Sequence, residues 1–130
     1  MYSKPFLLKN DLEETTSAFI NNLVKNGGPE LQEYEKFTSI VNNLDPSDVE
    51  DFREKINTIL NENTLIGHGY VKPYGYPGDF TLIDKIYRFD VNQDTQYRNW
   101  DLFFQNQPGA SAVRNRKEFF IEYCRNLLLR

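Results

Sequence analysis

The residues predict an all-α fold of about six helices in a compact bundle, and three observations carry that expectation. Apolar residues recur every three to four positions along most of the chain. Gly-Gly-Pro and Asp-Pro-Ser breaks cut the pattern into helix-sized pieces. No run of alternating β-branched residues, the mark of a half-buried strand, occurs in the 130 residues.

The first helix spans about Asp11 to Asn26, with Leu12, Phe19, Ile20, Leu23 and Val24 at helical spacing, and stops at Gly27-Gly28. Pro29 opens a second, whose apolar stripe is Leu31, Tyr34, Phe37, Val41 and Leu44. Asp45-Pro46-Ser47 ends it and starts a third, where Ser47 and Glu50 have capping-box spacing and Val49, Phe52, Ile56, Ile59 and Leu60 form the buried face. Residues 1–62 thus read as a three-helix N-terminal part, antiparallel because its turns are short.

Residues 63–79 read as an ordered loop between the third and fourth helices. From Gly67 to Asp79 it holds four of the seven glycines, two prolines and three tyrosines. Flexible linkers carry few aromatics, whereas these tyrosines need something to pack or hydrogen-bond against. Asp79 is the natural N-cap of a helix with apolar residues at Phe80, Ile83, Ile86 and Tyr87. The free N–H groups at that helix start favour an anion or a polar ligand group, although a turn and a cap alone would account for the pattern. A shorter segment follows through Tyr97, Trp100, Phe103 and Phe104. A last helix, from about Ser111 to Leu128, buries Val113, Phe120, Cys124 and Leu127, and residues 80–130 complete a single domain.

Composition narrows the function classes. A net charge of −4, with acidic and basic residues interleaved, leaves no basic stripe for nucleic acid. The single cysteine, Cys124, excludes an internal disulfide and a thiolate zinc site and fits a reducing cytosol. Phe6-Leu7-Leu8 is too short an apolar run for a signal-peptide core or a membrane span, so a cytoplasmic, unprocessed protein is expected. Aromatic residues make up 15%, and the eight tyrosines among them hint at an interface or a pocket.

Few residues invite chemistry. His68, the only histidine, could act as a base only if a carboxylate oriented it, and no partner is legible from the sequence. The pairs Glu13-Glu14 and Asp48/Asp51 lie on polar helix faces and suit solvation better than acid–base work. No nucleotide-cradling or metal-ligating motif is present, and no catalytic residue is assigned. Arg114 and Arg116 stand in the first turns of the last helix, where the dipole disfavours cations. Pairing of Arg114 with Glu118 is one reading, and capture of a carboxylate or phosphate is the other.

Two motifs together resemble a known family. Lys72-Pro-Tyr-Gly-Tyr-Pro-Gly-Asp-Phe80, followed by Ile83-Asp-Lys-Ile-Tyr87, resembles a signature upstream of the catalytic domain in certain bacterial S-adenosylmethionine-dependent methyltransferases, the extracellular-factor or 3-hydroxypalmitate methyl ester biosynthesis family. Trp100-Asp101, with Ala112-Val-Arg-Asn-Arg116, is similar to a second segment of that family, in the same order and spacing. The resemblance covers about residues 66–123. It implies a helical region that covers the cofactor and substrate crevice of a Rossmann-type catalytic domain, here supplied by a separate chain or by a C-terminal part beyond Arg130.

On that resemblance S-adenosylmethionine is the expected cofactor, bound only together with such a domain, and the acceptor is a small molecule or acyl group. Tyr70, Tyr74 and Tyr76 are expected to line the crevice, and Gly75 and Gly78 to allow close backbone approach. Asp79 either caps its helix or meets the cofactor's amino group, while Arg114 or Arg116 meets a carboxylate. Tyrosine faces also suit a sulfonium cation. The alternative is a stand-alone helical interaction module with no role in catalysis. A lid parted from its catalytic domain should leave part of the tyrosine loop and the last helix uncovered, which favours self-association.

Overall fold

The structure, a computed structural model, describes the backbone of residues 3–75 and 78–128, and within those ranges the side chains from residue 14 onward. The described residues are all helical or irregular, with no strand. Among the described residues seven α-helices follow one another: α1 (Ser3–Lys25), α2 (Tyr34–Asn42), α3 (Val49–Lys55), α4 (Leu65–Val71), α5 (Phe80–Tyr87), α6 (Arg98–Gln105) and α7 (Pro108–Leu128). Single 3₁₀ turns at Leu31–Glu33, Pro46–Asp48 and Asn57–Ile59 lead into α2 and α3 and out of α3.

Two apolar clusters hold these helices. The larger joins Ile20 and Leu23 of α1, Phe37 of α2, Ile56, Ile59, and Trp100 and Phe103 of α6. Phe37 meets Trp100 and Phe103 edge-on, with centroids 5.5 and 5.2 Å apart, the arrangement aromatic quadrupoles favour. The Trp100 ring is fully buried, and its Nε1–H has no hydrogen-bond partner among the described residues, so it is held by volume. The smaller cluster joins Leu65 of α4, Leu82 and Ile86 of α5, and Ala110 of α7. Adjacent residues of α6 serve both, Phe103 the first and Phe104 the second.

Glycine makes two of the joints possible. Gly28 has φ +118°, and a Cβ there would lie 2.3 Å from Trp100 N, beside the bond from Trp100 N–H to Gly27 O at 3.0 Å. A Cβ on Gly67 would lie 1.9 Å from Asn61 O and 2.6 Å from Ile59 O, so α4 rests directly on the backbone before it.

Several sequence expectations need correction. The span read as loop contains α4, because Thr64 caps it, its side chain accepting from Gly67 N–H, and the Asp101 carboxylate accepts from Leu65 N–H at 2.8 Å. On α2 the inward stripe is Tyr34, Phe37 and Ile40, while Leu31 and Val41 are exposed. On α5 the buried face is Leu82, Ile83 and Ile86, whereas Phe80 and Tyr87 point outward. Glu50 turns to Arg53 at 3.2 Å instead of serving a box with Ser47. Helix α7 begins at Pro108, where a missing N–H costs nothing, so Arg114 and Arg116 sit in its second and third turns. Its far half is uncovered: Phe120 and Leu127, expected inside, are 65% and 47% exposed. Leu12 falls among the side chains outside the described residues.

Candidate functional site

The chain between α4 and α5 is built from both ends. Helix α4 stops at Lys72, whose φ of 55° is left-handed and breaks the helical path. Gly75 N–H then donates to Lys72 O at 2.8 Å, closing a turn over Pro73 and Tyr74, with proline where a turn tolerates its fixed φ. At the far end Asp79 caps α5, its carboxylate accepting from Leu82 N–H at 2.9 Å.

A buried bond ties the two ends together. His68 Nε2 lies 2.8 and 3.0 Å from the two oxygens of Asp79, and both side chains are almost wholly shielded from water. An ionised carboxylate only accepts, so Nε2 carries the proton and donates it. Burial alone would push the Asp79 carboxyl up. The bonds from Leu82 N–H, from His68 and from Thr81 N–H outweigh it and hold the group below the usual carboxylate range. The carboxylate partner that the sequence left unidentified is therefore Asp79, eleven residues on in the chain.

Around this tie the aromatic side chains face outward. Tyr70 and Tyr74 are 51% and 55% exposed, and Phe80 is 67% exposed. The Tyr74 and Phe80 rings pack at 5.2 Å, and the Arg53 guanidinium of α3 stands 5.9 Å from the Tyr70 ring. A Cβ at Gly75 or Gly78 would meet nothing within 4 Å, so the backbone is open to close approach there. Tyr76, expected on the same surface, lies outside the described residues.

The remaining expected contacts are not brought to this surface. Asp79 is committed to His68 and to its own helix, and it has no exposed surface to offer a ligand. Arg114 is bidentate on one residue, donating to Gln105 Oε1 and to Gln105 O, each at 2.6 Å, and its guanidinium lies 4.8 Å from the Phe89 ring. Among the described residues Glu118 is not its ion-pair partner. Phe89 follows the C-terminus of α5 and Asp79 precedes its N-terminus, so the helix, about 12 Å long, separates the two. Arg116 is exposed.

Sequence reasoning missed two buried polar groups that position the site. Gln105 is fully buried, and its Nε2 donates to Lys85 O at 3.1 Å and Asp90 O at 2.9 Å, closing the end of α5. Asp101 accepts from Leu65 N–H and Asn92 N–H, both at 2.8 Å, which fixes the start of α4. Burial pushes its carboxyl up, although those two bonds and the Lys85 charge oppose the shift. The adjacent Trp100-Asp101 pair was a visible signal, but as part of a motif and not as a cap.

Among the described residues no cluster of three or more His, Cys, Asp or Glu side chains is placed to hold a metal, and no helix is long and apolar enough to cross a membrane. No family model matches the chain, and no curated protein or solved structure is significantly similar to it.

Proposed function

We propose that the chain is a helical lid or accessory module of an S-adenosylmethionine-dependent methyltransferase, laid over the crevice of a Rossmann catalytic domain carried by another chain or by a further part of the same polypeptide. One observation carries the reading: an aromatic surface of Tyr70, Tyr74 and Phe80 is open to solvent yet anchored beneath by the buried His68–Asp79 bond. Exposed tyrosine faces on a prebuilt turn suit contact with a partner and a cation, because little ordering remains to be done on binding. The methyltransferase identity itself rests on the two resembling sequence segments.

The fit to such a cofactor is partial. The exposed Tyr70, Tyr74, Gly78 and Arg116 are free to meet it, whereas Asp79 and Arg114 are held by this chain's own groups and act as braces. The cofactor would supply the methyl group, and the catalytic domain the crevice. This chain's residues would exclude water, cover the sulfonium with aromatic faces and orient the acceptor. A reducing, cytoplasmic setting agrees with the unpaired Cys124.

A second reading, a helical interaction module without a part in catalysis, is favoured by the uncovered half of α7, where Phe119, Phe120, Tyr123 and Leu128 are all more than half exposed. Calorimetric titration of S-adenosylmethionine into the chain, alone and mixed with the candidate Rossmann partner, separates the two. The lid reading expects binding that is tighter in the mixture than with the partner alone. Identical affinity with and without this chain supports the interaction module.

A further inference from the structure

Four of the five buried polar residues have every polar side-chain atom engaged by this chain. Thr64 donates to Ile59 O and accepts from Gly67 N–H. Asp101 accepts from Leu65 and Asn92, one bond to each oxygen, and both oxygens of Asp79 meet His68. Gln105 donates to Lys85 O and Asp90 O and accepts from Arg114. The fifth, His68, is different. Its Nε2–H goes to Asp79, which fixes the tautomer and leaves a lone pair on Nδ1, and no described group donates to that nitrogen.

The His68 side chain is only 4% exposed, so an acceptor without a donor is costly there. Among the described residues Trp100 Nε1 is the one side-chain polar atom both wholly enclosed and unpartnered, so Nδ1 lies within the little surface that His68 retains. A tie between α4 and α5 uses Nε2–H alone, and the lone pair across the ring is surplus to it. An imidazole backed by an ionised carboxylate is also wired to take a proton, because the carboxylate holds its tautomer and stabilises the imidazolium that forms. A carboxylate ligand has no proton to give to Nδ1 and is repelled by Asp79. An ammonium would have to shed a tightly held water shell to reach so buried an atom. A neutral hydroxyl suits it.

We infer that His68 takes the proton from a neutral hydroxyl on the molecule to be methylated, with Asp79 as its positioning residue. This rests on the lid reading and adds the substrate class to it, an alcohol or phenol. Nδ1 receives the proton as the hydroxyl oxygen bonds to the methyl carbon, and the carbon–sulfur bond of the cofactor breaks with its electron pair left on sulfur. Asp79 balances the imidazolium, which returns its proton to water after the product leaves.

Nitrogen-15 NMR of the imidazole in mildly alkaline buffer tests the wiring on the chain alone, since one histidine gives one unambiguous ring. Nε2 is expected to carry the proton and Nδ1 to be bare. Asp79→Asn should reverse them: the Leu82 N–H keeps the amide oxygen, so the amide N–H faces Nε2 and forces the proton onto Nδ1. With the candidate Rossmann partner and an alcohol acceptor, His68→Gln, which keeps an N–H toward Asp79 but no acceptor in place of Nδ1, should lower kcat about a hundredfold. Asp79→Asn should lower kcat comparably, and both variants should leave cofactor Kd within about twofold. A proton on Nδ1 in the unaltered chain overturns the inference while leaving the lid reading intact. So does unchanged kcat in both variants when Tyr70→Ala or Tyr74→Ala lowers it. If the chain alters neither cofactor affinity nor turnover of the partner, the lid reading fails and this inference falls with it.

Discussion

The Asp79 carboxylate satisfies the Leu82 N–H and the His68 ring together at a position shielded from solvent. Thr64 caps α4 by accepting from Gly67 N–H, and its hydroxyl also donates to Ile59 O, so both caps make buried bonds to two groups but only Asp79 does so as a charged group. Thermal unfolding of the two alanine variants should therefore rank them: Asp79→Ala lowers the midpoint further than Thr64→Ala, and Asp79→Asn, which keeps an acceptor for Leu82, falls between. Equal midpoints would mean that the charge on the Asp79 carboxylate adds nothing to the bonds it makes.

Acid titration separates the two buried carboxylates by sign. The Asp79 pKa is lowered by folding, so its contribution is present above the unfolded value of about 3.9 and is lost as pH falls through the folded value. The Asp101 pKa is raised, so its contribution is greatest below about 3.9 and declines as pH rises through the folded value. Denaturant unfolding as a function of pH should show Asp79→Asn blunting the acid-side loss of stability. Asp101→Asn should instead remove a decline on the rising side of about pH 4. Glycine substitutions divide in the same residue-level way. Gly67→Ala forces backbone apart and is expected to cost more than about 3 kcal/mol, whereas Gly78→Ala meets open space and should leave the unfolding midpoint unchanged.

At the scale of elements, Gln105 couples the ends of three helices, since it holds the Lys85 and Asp90 carbonyls and in turn receives Arg114. Gln105→Ala, followed by chemical denaturation, is expected to cost about 2–4 kcal/mol and to loosen α5 and α7 together. Elements were legible wherever period and punctuation coincided. Ile20 and Leu23 before Gly27-Gly28 gave α1 its buried face, and Asp79 before Phe80 gave α5 its cap. Helix α4 was not legible because Gly67 and Gly69 lower helix propensity, and its start depends on Asp101, thirty-six residues away from Leu65. The His68–Asp79 bond was hidden for a related reason, since no local spacing rule pairs residues across a turn. Periodicity also marks an apolar face without saying whether anything covers it, and so Phe120 and Leu127 were expected inside.

Among the described residues, exposed apolar side chains lie on the tyrosine turn and on the far half of α7, where the lid proposal expects them, and also at Leu31 and Val41. Phe119 and Phe120, 74% and 65% exposed, contribute little to the fold, so the double change to serine should move stability by no more than about 0.5 kcal/mol. The same double variant should abolish concentration-dependent association of the chain in sedimentation velocity and weaken its attachment to a catalytic partner. Association that survives it would place the contact elsewhere. On the lid proposal the aromatic turn covers a methyltransferase's cofactor, and S-adenosylmethionine affinity and turnover of the assembled enzyme, measured for Tyr70→Ala and Tyr74→Ala, are the decisive readouts. Both variants are expected to bind the cofactor more weakly and turn over more slowly, with the fold of the chain intact. Unchanged affinity and turnover in both variants would contradict it.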